Sequence, residues 1–441
     1  MGRFGKRFSS SQIIILGFAA VIMLGSLLLM LPIATRDGRG AVFSDALFTA
    51  TSAVCVTGLI VQDTATYWSA FGQAVIITLI QIGGMGVVTV AVAISLISGK
   101  QISLKQRSTM QDAISAPKVG GIVRLTGFII RMTMIFELLG AVIMAPSFCR
   151  EFGFLKGIWY AVFHSISAFC NAGFDLMGAK TPYSSLTYFV QNPVINLTIM
   201  ALIIIGGIGF MTWDDIKTND YHIRKYRMQS KIILATTVFL ILFPALYFFF
   251  FEFSGKSLDE RIWSSLFQSV TPRTAGFNTV ELTLISETGL AIIILLMLVG
   301  GSPGSTAGGM KTTTLAVIFS TAVSVFRRLE HTHFFGRRIA NETVRSAVTI
   351  MAMYLTLFLT GGLIISRVEN LPLLDCLFET ASAVATVGLT LGITPEVGIV
   401  SQSILILLMY VGRVGGLTLV FAAVSNKQKT VRLPQEKLTV G

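Results

Sequence analysis

Val54-Cys55-Val56-Thr57-Gly58-Leu59 is the first of four versions of one phrase. The others are Phe169-Cys170-Asn171-Ala172-Gly173-Phe174, Pro272-Arg273-Thr274-Ala275-Gly276-Phe277 and Val384-Ala385-Thr386-Val387-Gly388-Leu389. Their glycines recur about every 110 residues, a period that marks one structural unit used four times. Each phrase follows a hydrophobic segment and a short amphipathic one, and precedes another hydrophobic segment. Four Gly-ended loops set between hydrophobic helices can surround a single axis, which is how a pore is built.

Composition fixes the setting. With 53% hydrophobic and 13% charged residues and a mean hydropathy of +0.75, the chain is too apolar for a soluble globule of 441 residues. Eight stretches are long enough to cross a bilayer, at roughly 11–32, 72–97, 124–147, 193–213, 229–251, 287–325 (interrupted), 344–366 and 399–424. The first exceeds the apolar core of a signal peptide and lacks a small-x-small cleavage site, so it reads as a retained helix.

Lys and Arg set the orientation. They crowd into the N-terminus (Arg3, Lys6, Arg7), the 100–124, 217–231 and 327–345 loops, and the C-tail (Lys427, Lys429, Arg432, Lys437), whereas acids outnumber bases on the other side. Both termini are therefore expected in the cytoplasm, with the four Gly phrases in the outer half. The net charge of +12 belongs to this asymmetry and calls for no nucleic acid. The basic loops also offer a seat for a cytoplasmic partner.

Aligned on its glycine, each unit has a Phe about ten residues earlier: Phe48, Phe163, Phe378 and, one residue closer, Phe267. Three units continue Phe-x-x-x-Ser-Ala. A run of about ten apolar residues is too short to span and suits a re-entrant half-helix. Non-helical backbone at membrane depth is tolerated only where it lines a water path or is buried in protein. The expected fold is thus an all-α membrane protein of eight transmembrane helices with four re-entrant pore helices, four pseudo-repeats of helix–pore-loop–helix around one pore. The repeat boundaries fall at 1–110, 111–225, 226–340 and 341–441.

A monovalent cation that sheds its water needs several oxygens, and backbone carbonyls supply them without trapping the ion. Turning the carbonyls of an extended loop inward requires dihedrals that glycine accepts easily. Gly58, Gly173, Gly276 and Gly388 meet that need, and Val56-Thr57, Asn171-Ala172, Thr274-Ala275 and Thr386-Val387 would present the remaining carbonyls. The C-terminal ends of the pore helices, partially negative, favour a cation on the axis.

Together with the helix–pore-loop–helix repeats, Ala53 to Leu59, Arg273 to Asn278 and the Gly-rich sixth span resemble the Trk/Ktr/HKT superfamily of potassium transporters along essentially the whole chain. With eight spans, the chain is more similar to the Ktr membrane subunit (KtrB type) than to the longer TrkH type. The resemblance implies potassium uptake across a bacterial plasma membrane by a non-enzymatic pore, one per subunit of a homodimer. It also implies a cytoplasmic nucleotide-binding ring (KtrA/RCK type) as regulator, so that the nucleotide belongs to the partner. No cofactor is expected in this chain beyond the transported K+. In this superfamily a Ser at the first filter glycine accompanies sodium transport, so Gly58 favours potassium. Pro272 and the cysteines of phrases one and two depart mildly from the pattern. Channel-like flux and flux coupled to or stimulated by Na+ both stay open.

The sixth span holds Gly300-Gly301-Ser302-Pro303-Gly304-Ser305-Thr306-Ala307-Gly308-Gly309-Met310-Lys311, in which no continuous helix survives. It superficially resembles a phosphate-binding loop, but Met310 separates Gly309 from Lys311 and no strand precedes it. A gate below the filter fits better. Arg413 is a charge at membrane depth, expected either to join the gate by raising a barrier to cations below the filter or to pair with an acid or loop carbonyls. For Lys311, nearer the inner face, snorkelling is the plain reading. Glu137 is read as holding helices together. Gly83-Gly84-Met85-Gly86 and Gly206-Gly207-Ile208-Gly209 are read as close-packing motifs on helices. The four histidines and four cysteines show no metal spacing, and His164 is expected to pack on its pore helix. Two other classes compete: a secondary transporter of another cation or small solute, which would need unwound helices but not four such phrases, and a membrane enzyme, for which no nucleophile–base pair is present.

Overall fold

The computed structural model describes residues 9–98, 102–114, 121–416 and 418. The basic N-terminus, Lys118, the C-tail and the end of the eighth span lie outside them. One order of elements is written four times. The first unit runs α1 (Ser10–Leu29), α2 (Phe43–Cys55), a loop, α3 (Ala70–Met85) and α4 (Val87–Ile97), followed by α5 (Leu104–Ile114). The second is α6 (Ile122–Phe152), α7 (Phe154–Phe169), α8 (Pro193–Gly207) and α9 (Phe210–Thr218). The third is α10 (Met228–Tyr247), α11 (Leu258–Val270), α12 (Glu287–Leu298) and α13 (Thr312–Phe326), with a two-stranded hairpin, β1 (His333–Phe334) and β2 (Arg337–Arg338). The fourth is α14 (Asn341–Glu369), α15 (Leu373–Ala385) and α16 (Ile399–Val414).

The first helix of each unit is long, apolar and only one-third or so covered by protein. Leu24 and Leu27 of α1, Leu138 and Val142 of α6, Phe239 and Phe243 of α10, and Leu359 and Leu363 of α14 are all exposed, as residues facing hydrocarbon must be. This is a multi-pass membrane architecture. Helices α2, α7, α11 and α15 are its inverse. From Phe48, Phe163, Phe267 and Phe378 to their C-termini they are almost wholly buried. Acids occupy the first turns of three of them, Asp45, Asp259 with Glu260, and Asp375, where the helix dipole favours negative charge. Ser69, Asn192 and Ser286 cap the third helices, each side chain accepting from a first-turn N–H that would otherwise lack a partner.

Two expected spans are not continuous. Residues 72–97 split into α3 and α4, bent by 95°, and 193–213 split into α8 and α9, bent by 91°. The breaks fall at Gly86 (φ 86°) and Gly209 (φ 90°), and α16 likewise ends at Gly415 (φ 88°), conformations that side chains with a Cβ avoid. The Gly-Gly-x-Gly motifs therefore do two things. Their leading glycines pack closely, since a Cβ on Gly83, Gly206 or Gly412 would land on the Val54, Phe169 or Val384 carbonyl. Their trailing glycines turn the helix aside. In the third unit a loop between α12 and α13 stands where the first two units bend.

Candidate functional site

The four phrases follow α2, α7, α11 and α15 with the same backbone. Val56, Asn171, Thr274 and Thr386 adopt φ of 57°, 58°, 66° and 55°, and two residues later Gly58, Gly173, Gly276 and Gly388 adopt 97°, 71°, 77° and 93°. Inverting the dihedral sign at every second residue of an extended chain turns successive carbonyls toward one side instead of alternating them. Four backbone bonds hold that geometry. Thr57, Ala172 and Val387 N–H donate to the Ser52, Ser167 and Ser382 carbonyls at 2.8 Å, and Ala275 donates to Thr271 at 3.0 Å.

The loops meet in a closed ring. A Cβ on Gly58 would lie 2.5 Å from the Ala172 carbonyl oxygen, one on Gly173 2.8 Å from that of Ala275, and one on Gly276 2.5 Å from that of Val387. A Cβ on Gly388 would overlap the carbonyl oxygen of Thr57, closing the circuit. Each glycine thus abuts the carbonyl just ahead of the next unit's glycine, in chain order. Any side chain would fill the centre. The Thr57, Thr274 and Thr386 hydroxyls are buried with no protein partner, spare oxygens beside the same ring.

Hydroxyls behind the loops complete them. Ser52 and Ser382 Oγ accept from the Gly58 and Gly388 N–H at 3.0 and 2.9 Å. Ser167 donates to the Phe174 carbonyl at 2.7 Å, and Thr271 donates to that of Phe277. The Ser of the Phe-x-x-x-Ser-Ala frame thus supports the loop, a role its spacing alone does not reveal. Glu379, which no motif marks, accepts from Thr394 beyond the fourth phrase.

Beneath the ring lies the segment 300–311. Thr306 Oγ1 sits 3.0 Å from both the Phe169 carbonyl and Asn171 Oδ1. A Cβ on Gly300 would lie 3.1 Å from Thr274 Cγ2, and one on Gly308 would overlap the Thr386 hydroxyl. The segment therefore touches phrases two, three and four from one side. Backbone bonds tie it to the break in the second unit: Ser302 N to Gly207 O at 2.9 Å and Phe210 N to Gly304 O at 2.8 Å. Arg413 donates to the Thr306 and Gly83 carbonyls and, at 3.2 Å, to that of Gly84. The structure shows the pairing reading, with loop and helix-end carbonyls as partners rather than an acid. Lys311 does not snorkel. Its Nζ folds back onto the Ala307 and Gly308 carbonyls at 3.0 and 3.2 Å, because those carbonyls lack helical partners.

The remaining sequence candidates are tying elements. Glu137 on α6 accepts from Gln81 of α3 at 3.2 Å and lies 3.8 Å from Cys170 Sγ of phrase two. His164 Nε2 accepts from the Leu176 N–H at 3.3 Å, so Nδ1 carries the proton shared with the Tyr160 carbonyl at 2.7 Å. All four cysteines are unbridged. Above phrase two, the loop is pinned by buried Asp63, which accepts from Ala65, Thr66 and Tyr183 N–H. Half-buried Asp175 accepts from Met177 N–H at 2.8 Å. Burial, reinforced by the neighbouring Asp63 carboxylate, pushes Asp175 up to about 7 against the Met177 and Ser185 hydrogen bonds that pull it down.

A family model described as TrkH, cation transport protein, matches residues 9–433. The chain is 38% identical to the potassium/sodium uptake protein NtpJ of Enterococcus hirae, over 100% of this chain and 99% of that one. It is 37% identical to the Ktr system potassium uptake protein B of Bacillus subtilis, over 99% and 97%. The fold is similar to that of the potassium transporter TrkH from Vibrio parahaemolyticus, with a TM-score of 0.76 at 20% identity, covering 96% of this chain and 87% of that one.

Proposed function

This chain belongs to the TrkH family of cation transport proteins, and from that premise we propose that it is the ion-conducting subunit of a potassium-uptake system. The observation that carries the reading is the closed ring in which each phrase's glycine abuts the next phrase's carbonyl. In this reading Val56, Thr57 and Gly58, with Asn171, Ala172, Gly173, Thr274, Ala275, Gly276, Thr386, Val387 and Gly388, form the filter, one contribution from each unit (1–110, 111–225, 226–340 and 341–441). Potassium enters from the acidic outer face, exchanges water for carbonyls, and meets a gate made by 300–311 and held by Arg413. We take the termini and basic loops to face the cytoplasm, where the Bacillus subtilis relative's description as part of a Ktr system favours a further component, in our reading a nucleotide-binding regulatory ring on a homodimer of this chain.

The test is uptake of radioactive rubidium and sodium in cells lacking their own potassium uptake, with and without a Ktr-type partner. Rubidium entry blocked by potassium is expected. A folded, membrane-inserted chain that admits neither cation with its partner present would sink the proposal.

A further inference from the structure

The four filter loops are not equivalent, and four separate observations divide them the same way. In the first and fourth phrases the glycine is preceded by a β-branched residue (Thr57, Val387) and followed by Leu. In the second and third it is preceded by Ala (Ala172, Ala275) and followed by Phe. The glycine φ values pair accordingly, 97° and 93° against 71° and 77°. The hydroxyl behind the loop reverses its role as well. Ser52 and Ser382 accept from the glycine N–H, whereas Ser167 and Thr271 donate to the carbonyl of the following Phe. Among the described residues no donor reaches the Leu59 and Leu389 carbonyls.

We propose that Ser167 and Thr271 are positioning residues that withdraw the Phe174 and Phe277 carbonyls from the ion path, so that the outermost carbonyl layer is completed by units one and four alone. The inference rests on the filter reading above. The ring runs one–two–three–four, so the two kinds of loop sit side by side. One flank of the mouth offers the free Leu59 and Leu389 oxygens. On the other flank the oxygens are drawn back toward the pore helices, and each has spent a lone pair on a hydroxyl proton. A cation at this layer is bound by protein on one side and by water on the other. It is stripped in two stages, and the outer site stays weak enough to release the ion inward, which conduction requires.

The experiment compares two double variants in whole-cell rubidium uptake at matched membrane abundance. Ser167→Ala with Thr271→Val frees the two Phe carbonyls and strengthens the outer site. The apparent KM for rubidium is expected to fall about fivefold, equivalent to the ~1 kcal/mol of an ordinary hydrogen bond, while maximal flux declines because the ion leaves more slowly. Ser52→Ala with Ser382→Ala instead frees the glycine N–H groups, and is expected to lower the rubidium-to-sodium ratio without lowering KM. Ser167→Thr and Thr271→Ser keep the donor and are expected to behave as wild type. A Ser167/Thr271 variant with unchanged or raised KM overturns the proposal, as does the same KM shift in both pairs. If the double variant does not reach the membrane, the near-isosteric Thr271→Val alone carries the test with the same expected direction. Failure of the wild-type chain to conduct rubidium would count against the filter reading itself, and is thereby told apart from equivalence of the loops.

Discussion

Gly58 is the position at which conformation and contact can be separated. Ala at residue 58 meets two obstacles. Its φ of 97° lies where L-residues are strained, a penalty of order 1–3 kcal/mol. Its methyl would stand 2.5 Å from the Ala172 oxygen, which must retreat by about 0.9 Å to restore ordinary contact at 3.4 Å. Gly392 has almost the same φ, 95°, with nothing within 4 Å of its built Cβ. Gly392→Ala therefore carries the strain without the displacement. Thermal unfolding in detergent should report both variants as less stable, each by roughly the same 1–3 kcal/mol before the clash is added at residue 58. Paired rubidium and sodium uptake should separate them. Gly392→Ala keeps the wild-type ratio, and Gly58→Ala lowers it at least tenfold, since a loss of ~1.4 kcal/mol in one ion's favour is a factor of ten. Equal losses of selectivity in the two variants would refute the argument, because the carbonyl ring would then be irrelevant to the choice of ion.

Arg413→Gln removes a charge that donates to three carbonyls, contacts worth about 1.5–3 kcal/mol each when charge-assisted, and should raise basal rubidium flux; flux at or below wild type with normal expression would count against the latch. Shortening 303–309 should likewise raise flux, and a well-folded deletion with unchanged uptake argues that the segment is not a gate. Asp175, held at about 7 against 3.8 for the free group, is favoured by the fold in its neutral form. Its stabilising contribution is complete below about pH 4 and is lost as pH rises through 7. As pH passes 7 it gains a charge near the mouth, so uptake at low ionic strength should climb from about pH 6 to 8 and be flatter in Asp175→Asn, an identical slope in the variant speaking against it.

Much of this architecture was legible because repetition amplifies weak signals. One glycine in a turn says little, but four in register with a Phe upstream specify a unit. The bends at Gly86 and Gly209 were not legible from hydropathy, which reports solubility in lipid and is blind to direction. Their sign lay in Gly83 to Gly86, matched by Gly206 to Gly209 and again around Gly412 to Gly415. Pore helices α2, α11 and α15 are 13 residues long and α7 is 16, more than the expected ten, because polar residues such as Asp45 and Asp375 in the opening turns hid them from an apolar scan. The sequence allows loop carbonyls as partners of Arg413 but cannot say which, and it leaves Lys311 to snorkel, because both charges answer to backbone carbonyls, which carry no letter in a sequence.

The third unit is where the repetition fails, and its departures converge. Its phrase comes one residue sooner after the pore-helix Phe, Pro272 and buried Arg273 open it, Thr271 replaces Ser, and a Gly-rich segment replaces the single Gly break. A filter gains from near-equivalence, since the ring of carbonyls ahead of the four glycines takes one oxygen from each unit. A gate on that axis cannot be fourfold, because four copies of a twelve-residue segment would not fit beneath one ring. The first two units bend their last helix aside at Gly86 and Gly209, and α16 ends at Gly415, which leaves room below the phrases. The fourth set of residues, 300–311, enters that room from one side and bonds to the broken ends that made it, Gly206 and Gly207 directly and Gly83 and Gly84 through Arg413. On the proposed reading, selection and closure fall to different degrees of symmetry within one repeated chain, and mutations in the third unit should alter gating more readily than their counterparts in the other three.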